Sequence, residues 1–245
     1  MKNILGITIC LLLLSVQILA TNASLSRKEI NIDYNNSTKL ILTNKADEIK
    51  AFEISLYERN IDEKGQDIKV DSDIENNFLI IPSQVILSPF GEETISITYI
   101  GDKNITKEKA YHILIKQIEI NFDENNTELI QRSKDSLYAK LTVLTNLIKN
   151  MYLTQSNFEP KLEIINKKIN DRTMEIEIKN SGQKRLIMGG DKPKLFFLLK
   201  DTDNNILKFR AKTAILLPNQ TFKNIIEIPK SVNLKDQDIS WEFSR

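Results

Sequence analysis

Phe78-Leu79-Ile80-Ile81-Pro82-Ser83-Gln84-Val85-Ile86-Leu87-Ser88-Pro89-Phe90-Gly91-Glu92-Glu93-Thr94-Ile95-Ser96-Ile97-Thr98-Tyr99 decides the fold class of this chain. In Thr94 to Tyr99, Ile95, Ile97 and Tyr99 alternate with Thr94, Ser96 and Thr98, which is the two-residue period of a strand. Phe78 to Pro82 and Val85 to Leu87 read as one bent strand, because Pro82 lacks a backbone donor and forces an edge or a kink. Ser88-Pro89-Phe90-Gly91 is turn chemistry between the two. Strand, turn and strand follow one another with no room for a helix.

The same pattern extends outward. Thr38 to Leu42 and Phe52 to Tyr57 are β-branched and aromatic runs of strand length. Turn residues bound them at Asn35-Asn36-Ser37, Asn44-Lys45-Ala46-Asp47 and Asp62-Glu63-Lys64-Gly65. Tyr111 to Ile120 and Leu137 to Leu153 are longer strand predictions, separated by the polar stretch Asn121 to Ser136. One helical reading competes, over Asn125 to Ile148, where Leu129, Leu137, Leu141, Leu144 and Ile148 recur at near-helical spacing. The pairs Thr142-Val143 and Thr145-Asn146 are poor helix formers and favour the strand. About seven short strands at this spacing fit an immunoglobulin-like sandwich.

Ser156-Asn157-Phe158-Glu159-Pro160 reads as a hinge, after which the pattern restarts. Strands are predicted at Lys161 to Ile165, Met174 to Ile178, Lys194 to Leu199, Asn205 to Phe209, Thr221 to Ile228 and Ile239 to Phe243. Glu175 and Glu177 alternate with Met174, Ile176 and Ile178, giving a sheet with one wet face. Trp241 is expected in the core of this second unit. The sequence therefore predicts an all-β chain of two immunoglobulin-like β-sandwich domains, at 21-155 and 156-245.

Residues 1-20 lie outside that fold. Lys2 precedes the apolar run Ile4 to Val16, and small residues follow at Ala20 and Ala23, the layout of a secretory signal peptide cleaved after one of those alanines. Gln17, Thr21 and Asn22 close the run short of the ~20 apolar residues of a membrane span. No later stretch is apolar enough for stable membrane insertion. Cys10 lacks the small residue before it that lipid attachment wants. Without residues 1-20 the chain keeps 33 basic and 33 acidic residues, a net charge of zero. That balance gives no footprint for nucleic acid or an anionic membrane. The only cysteine lies in the signal, so a disulfide framework is excluded and packed cores must hold the fold. The Asn36, Asn104, Asn125 and Asn219 sequons matter only in a glycosylating host.

Chemistry is sparse. Nucleophilic or acid-base catalysis needs a base beside a nucleophile, and the chain offers one His and, past the signal, no Cys. His112 falls inside the apolar strand Tyr111 to Ile115 and reads as packing. Asp71-Ser72-Asp73-Ile74-Glu75 and Asp201-Thr202-Asp203-Asn204-Asn205 resemble the start of a calcium loop. In the second, Ile206 stands where glycine is required and Lys212 where the closing glutamate belongs, so a hairpin turn explains it better. No enzyme, metal or cofactor is predicted.

Taken in order, these pieces resemble the periplasmic pilus and fimbrial assembly chaperones. Phe78 to Gly91 is similar to that family's strand that meets a Pro and runs to a Pro-Gly turn. Glu93 to Tyr99 and Ala110 to Ile120 resemble the strands that follow it. Leu40-Ile41-Leu42-Thr43-Asn44 resembles the strand ending in Thr-Asn, and Leu56 to Gly65 the next strand and turn. The resemblance covers 24-153 well and the second domain in outline.

The resemblance implies a boomerang of two domains that works in the periplasm, binding pilin-like or fimbrial subunits and delivering them to an outer-membrane usher for fimbrium biogenesis. It also implies that the last strand of the first domain is donated to a subunit lacking one of its own, a form of β-strand addition. Leu137, Ala139, Leu141 and Val143 share one face of that candidate donor strand, and Tyr138, Leu144 and Ile148 lie on the other. An ordinary strand buried on both faces is the alternative, and a slip of one residue would exchange the faces. The resemblance further implies two basic anchors for the subunit's C-terminal carboxylate. Lys149 matches one. The other match lands on Glu29, leaving a shifted Arg27 or Lys28, or an incomplete anchor. The family's Arg-Pro after the strand's Tyr is absent, since Leu153 and Thr154 follow Tyr152. The competing function is a secreted immunoglobulin-like adhesion or structural protein that donates no strand.

Overall fold

A computed structural model of the chain describes residues 23-34, 36-62, 64-70, 74-120, 144-170, 172-189, 194-229 and 239-244. Among the described residues the first domain holds ten strands: β1 (Ala23–Leu25), β2 (Glu29–Asp33), β3 (Ser37–Asn44), β4 (Lys50–Ile61), β5 (Asp67–Val70), β6 (Phe78–Ile81), β7 (Gln84–Leu87), β8 (Glu92–Tyr99), β9 (Lys109–Ile118) and β10 (Asn146–Thr154). One sheet runs β1-β3-β8-β6; the other runs β2-β10-β9-β4-β5, with β7 also paired to β4. Alternation builds the core between them: Leu40 and Leu42 of β3 and Ile95 and Ile97 of β8 face Phe52 and Ile54 of β4, Ile113 and Ile115 of β9, and Met151 and Leu153 of β10.

The second domain contains β11 (Leu162–Asn170), β12 (Thr173–Asn180), β13 (Leu186–Met188), β14 (Lys194–Lys200), β15 (Ile206–Arg210), β16 (Ala214–Leu216), β17 (Thr221–Glu227) and β18 (Ser240–Ser244). These form sheets β11-β12-β17 and β15-β14-β18 and the pair β13-β16. Met174, Ile176 and Ile178 pack with Leu195, Phe197 and Leu199 in a separate core. The fold is two β-sandwich domains, as the periodicity predicts.

Three sequence expectations are corrected. Phe78 to Leu87 is two strands and not one bent one, since β6 pairs with β8 in one sheet and β7 with β4 in the other. The chain crosses between sheets at Pro82, where the Ile81–Pro82 bond is cis. Of the strand expected over 137-153, β10 begins at Asn146; residues 137-143 lie outside the described residues, and the strand from Asn146 leaves no helix at 146-148. Trp241 is not in the second core: it is 40% exposed, because β18 has only β14 beside it among the described residues. The Asp201 to Asn205 segment is a hairpin turn, with the Asp201 carboxylate accepting from the Asp203 and Asn205 amides. Phe158 of the linking segment is buried in the first core.

The two domains repeat one local device. Asn44 closes β3 and Asn180 closes β12, and both are fully buried. Asn44 Nδ2 donates to the Glu48 and Ser88 carbonyls (2.8 and 2.9 Å), and its Oδ1 accepts from the Ala46 amide. Asn180 Nδ2 donates to the Lys184 and Leu216 carbonyls (2.8 and 3.0 Å), and its Oδ1 accepts from the Gly182 amide. Each bracket meets a Pro turn with positive φ at the next residue, Pro89-Phe90 at 56° and Pro218-Asn219 at 68°. β3, β7 and β8 thus correspond to β12, β16 and β17.

Candidate functional site

β10 is the pivot of the first domain. On one side it pairs with β9 from Asn146 to Leu153. On the other, the parallel partner β2 starts only at the Asn150–Glu29 rung, so Asn146 to Lys149 present an open edge among the described residues. Gln117 N–H donates to the Thr145 carbonyl, and antiparallel alternation then turns the Asn146 and Ile148 amides toward that edge. Leu147 is partly buried against the core, while Leu144 and Ile148 are exposed.

Beyond Asn150 the outer face of β10 turns to the second domain. Tyr152 is fully buried there with Ile61, Ala110 and Leu217, an apolar patch shared by both domains. The Arg185 guanidinium lies 3.7 Å from the Tyr152 ring centroid. Arg185 Nη1 donates to Glu108 at 2.6 Å, and Nη2 to Glu29 and, at 2.9 Å, to Asn31. Across the ring, Arg59 donates to the Tyr152 hydroxyl at 2.5 Å and to Asp67 at 2.8 Å. Burial raises the Tyr152 pKa, with both arginines opposing it. Gln220 on the second domain donates to the Asn60 side chain and the Ile61 carbonyl (2.6 and 2.7 Å), and the Glu108 amide to the Gln183 carbonyl.

His112, expected among apolar neighbours, is buried on this same face. It stacks on Tyr57 with centroids 5.0 Å apart, and its Nε2 lies 3.7 Å from Asp67. Burial lowers its pKa; Asp67 works against that and Arg59 with it. No group of three or more metal-ligating side chains occurs among the described residues.

The sequence-derived residues separate as follows. Leu137, Ala139, Leu141 and Val143 lie outside the described residues. Lys149 is half-buried on β10 opposite Ile113, and by alternation shares the side of Leu147 and Met151. Arg27 and Lys28 are exposed just before β2, and continuing the parallel register one rung back sets Lys28 level with Lys149. Glu29, at the position matching a basic anchor, is paired with Arg185. Sequence reading missed Arg185, Arg59, Glu108 and Asp67. Arg185 is 77 residues from Glu108 and 156 from Glu29, so no local pattern joins them.

Solved structures share this fold. A chain of the chaperone–tip adhesin complex of CFA/I fimbriae biogenesis aligns at TM-score 0.60 and 14% identity, over 91% of this chain and 98% of that one. The class 5 fimbriae chaperone CfaA aligns at 0.58 and 16% identity, over 91% and 99%. The chain has the fold of the fimbrial chaperones. A chain of the Salmonella enterica SafA pilin–SafB chaperone complex aligns at TM-score 0.51 and 8% identity, over 93% and 99%. No protein-family model matches the sequence, and no curated protein does. This chaperone fold, at identities this low, rests on backbone geometry and not on shared residues.

Proposed function

We propose that this protein is a periplasmic chaperone for pilin-like or fimbrial subunits, exported by a cleaved signal at 1-20, and that it binds a subunit by lending it the strand that leads into β10. The open edge of β10 at Asn146 to Lys149 carries the reading. A subunit sandwich lacking a strand exposes unpaired backbone groups and an apolar groove, and an added strand satisfies the first and fills the second. The Asn146 and Ile148 amides serve the hydrogen bonds, and Leu137, Ala139, Leu141 and Val143 the groove. Lys149, with Lys28 level beside it and Arg27 next to that, supplies positive charge for a terminal carboxylate. Glu29 is committed to Arg185, so this anchor draws on the lysines. Delivery to an outer-membrane usher completes the role. No cofactor or enzymatic step enters.

Co-expression with a fimbrial subunit yields a soluble one-to-one complex on this reading, and Leu141→Asp with Val143→Asp abolishes it. A subunit held equally well by the double variant means that the strand is not donated. It then favours an immunoglobulin-like adhesion or structural protein acting through surface contacts.

A further inference from the structure

The net charge of zero conceals a division between the domains. Residues 21-155 hold 16 basic and 21 acidic side chains, while 156-245 hold 17 and 12. The cation surplus of the second domain is not spread evenly. On sheet β11-β12-β17 the outward residues, which alternate with the core residues Met174, Ile176 and Ile178, meet as opposite charges: Glu163 with Lys179, Lys168 with Glu175, and Glu177 with Lys223. That face neutralises itself.

Sheet β15-β14-β18 does not. Leu195, Phe197 and Leu199 point into the core, so Lys194, Phe196, Leu198 and Lys200 of β14 point outward. The register sets Arg210, Lys208 and Ile206 of β15 level with the last three. The Ala211 amide donates to the Leu195 carbonyl at 2.9 Å, which carries the pairing one rung further and brings Lys212 level with Lys194. Lys194, Lys200, Lys208, Arg210 and Lys212 are all exposed. Among the described residues, Glu242 is the one carboxylate on these rungs, and it is paired with Lys208 at 2.5 Å. Asp201 and Asp203 lie in the turn beyond Lys200, where the Asp201 carboxylate accepts from the Asp203 and Asn205 amides. Like charges level on neighbouring strands, as at Lys194 and Lys212, destabilise the free sheet. An anionic partner removes that repulsion.

We propose that the outer face of sheet β15-β14-β18 is a peripheral docking surface for an anionic lipid membrane. Three observations favour a membrane over an acidic protein. The strands pair without a register shift, giving a continuous face that suits a plane. Ile206, 61% exposed, and the half-buried Phe196 and Leu198 stand among the cations, the mixture that sits at the boundary of headgroups and acyl chains. The acidic first domain is repelled by a negative plane, which selects one orientation and keeps that domain, with β10, off the lipid. The overall balance leaves no trace of this because the domains cancel. The inference is independent of strand lending at β10.

The protein recovered after export is sedimented with vesicles of phosphatidylcholine holding roughly 30% phosphatidylglycerol, in ~0.05 M salt. Each cation at such a surface strengthens binding roughly fivefold, so Lys194→Glu/Arg210→Glu should weaken it about 25-fold or more. Lys39→Glu/Lys103→Glu, at exposed positions of the first domain, changes the total charge equally and should leave binding within about twofold. Binding should vanish at ~0.5 M salt and on phosphatidylcholine alone. Equal losses in the two variants would assign the effect to total charge and overturn the inference. So would failure to sediment with the anionic vesicles, or capture by a poly-glutamate peptide but not by those vesicles.

Discussion

The Arg185 guanidinium of the second domain lies over the Tyr152 ring of the first, 3.7 Å from its centroid, while the same arginine is bonded to Glu108 at 2.6 Å. Glu108 has a fully buried carboxylate, and Arg185 is its ion-pair partner across the domain boundary. Arg185 shares the work of holding the second domain against β10 with the Gln220 bonds to Asn60 and Ile61 and the apolar patch of Ile61, Ala110, Tyr152 and Leu217.

Arg185→Met removes the cation and leaves Glu108 buried without its charge partner. Breaking a buried pair from one side costs about 3–5 kcal/mol. Chemical denaturation should show that loss, and adding Glu108→Gln should recover part of it by removing the stranded charge. A loss no greater for Arg185→Met than for an exposed arginine contradicts the assignment.

Asn44→Ala and Asn180→Ala each remove a bracket of side-chain-to-backbone hydrogen bonds, including the buried bond from the Ala46 amide to Asn44 and the buried bond from Asn180 to the Leu216 carbonyl, at about 0.5–1.5 kcal/mol per bond. Native-state hydrogen exchange should show faster opening confined to the first domain for Asn44→Ala and to the second for Asn180→Ala. Equal effects on both domains would contradict independent brackets.

Because burial holds His112 below its ordinary 6.5, the unfolded chain takes up the proton first as pH falls. This part of the stability is intact above pH 6.5 and is lost progressively below it. The groups facing His112 are Tyr57, Asp67 and Arg59. The melting temperature should decline between pH 7 and pH 5, and His112→Gln should flatten that decline; an unchanged profile in the variant removes His112 as its source.

The all-β class and the two cores were legible in the sequence, because Ile95, Ile97 and Tyr99, or Met174, Ile176 and Ile178, carry a period of two that survives into the packing. The sheet switch at Pro82 was not legible: a kinked strand and a crossover have the same local residues, and only the long-range partners of β6 and β7 tell them apart. Trp241 misled for a related reason. Its hydrophobicity predicts burial, but burial needs a neighbouring strand, and the pattern within β18 holds no information about one. Of the Asn44 and Asn180 repeat only the strand ending in Thr43-Asn44 was read in the sequence; its correspondence with Asn180 needed the bonds. The Arg185 site joins residues from distant strands and left no trace at all.

The most direct test of strand lending is amide exchange at Asn146 and Ile148, measured with and without a bound fimbrial subunit. Both amides point to the open edge, while from Asn150 onward β2 covers the strand. The account predicts fast exchange in the free protein and strong protection of both in the complex, with the amides of Met151 to Leu153 little changed. A subunit that binds tightly while the two amides still exchange at the free rate would contradict it.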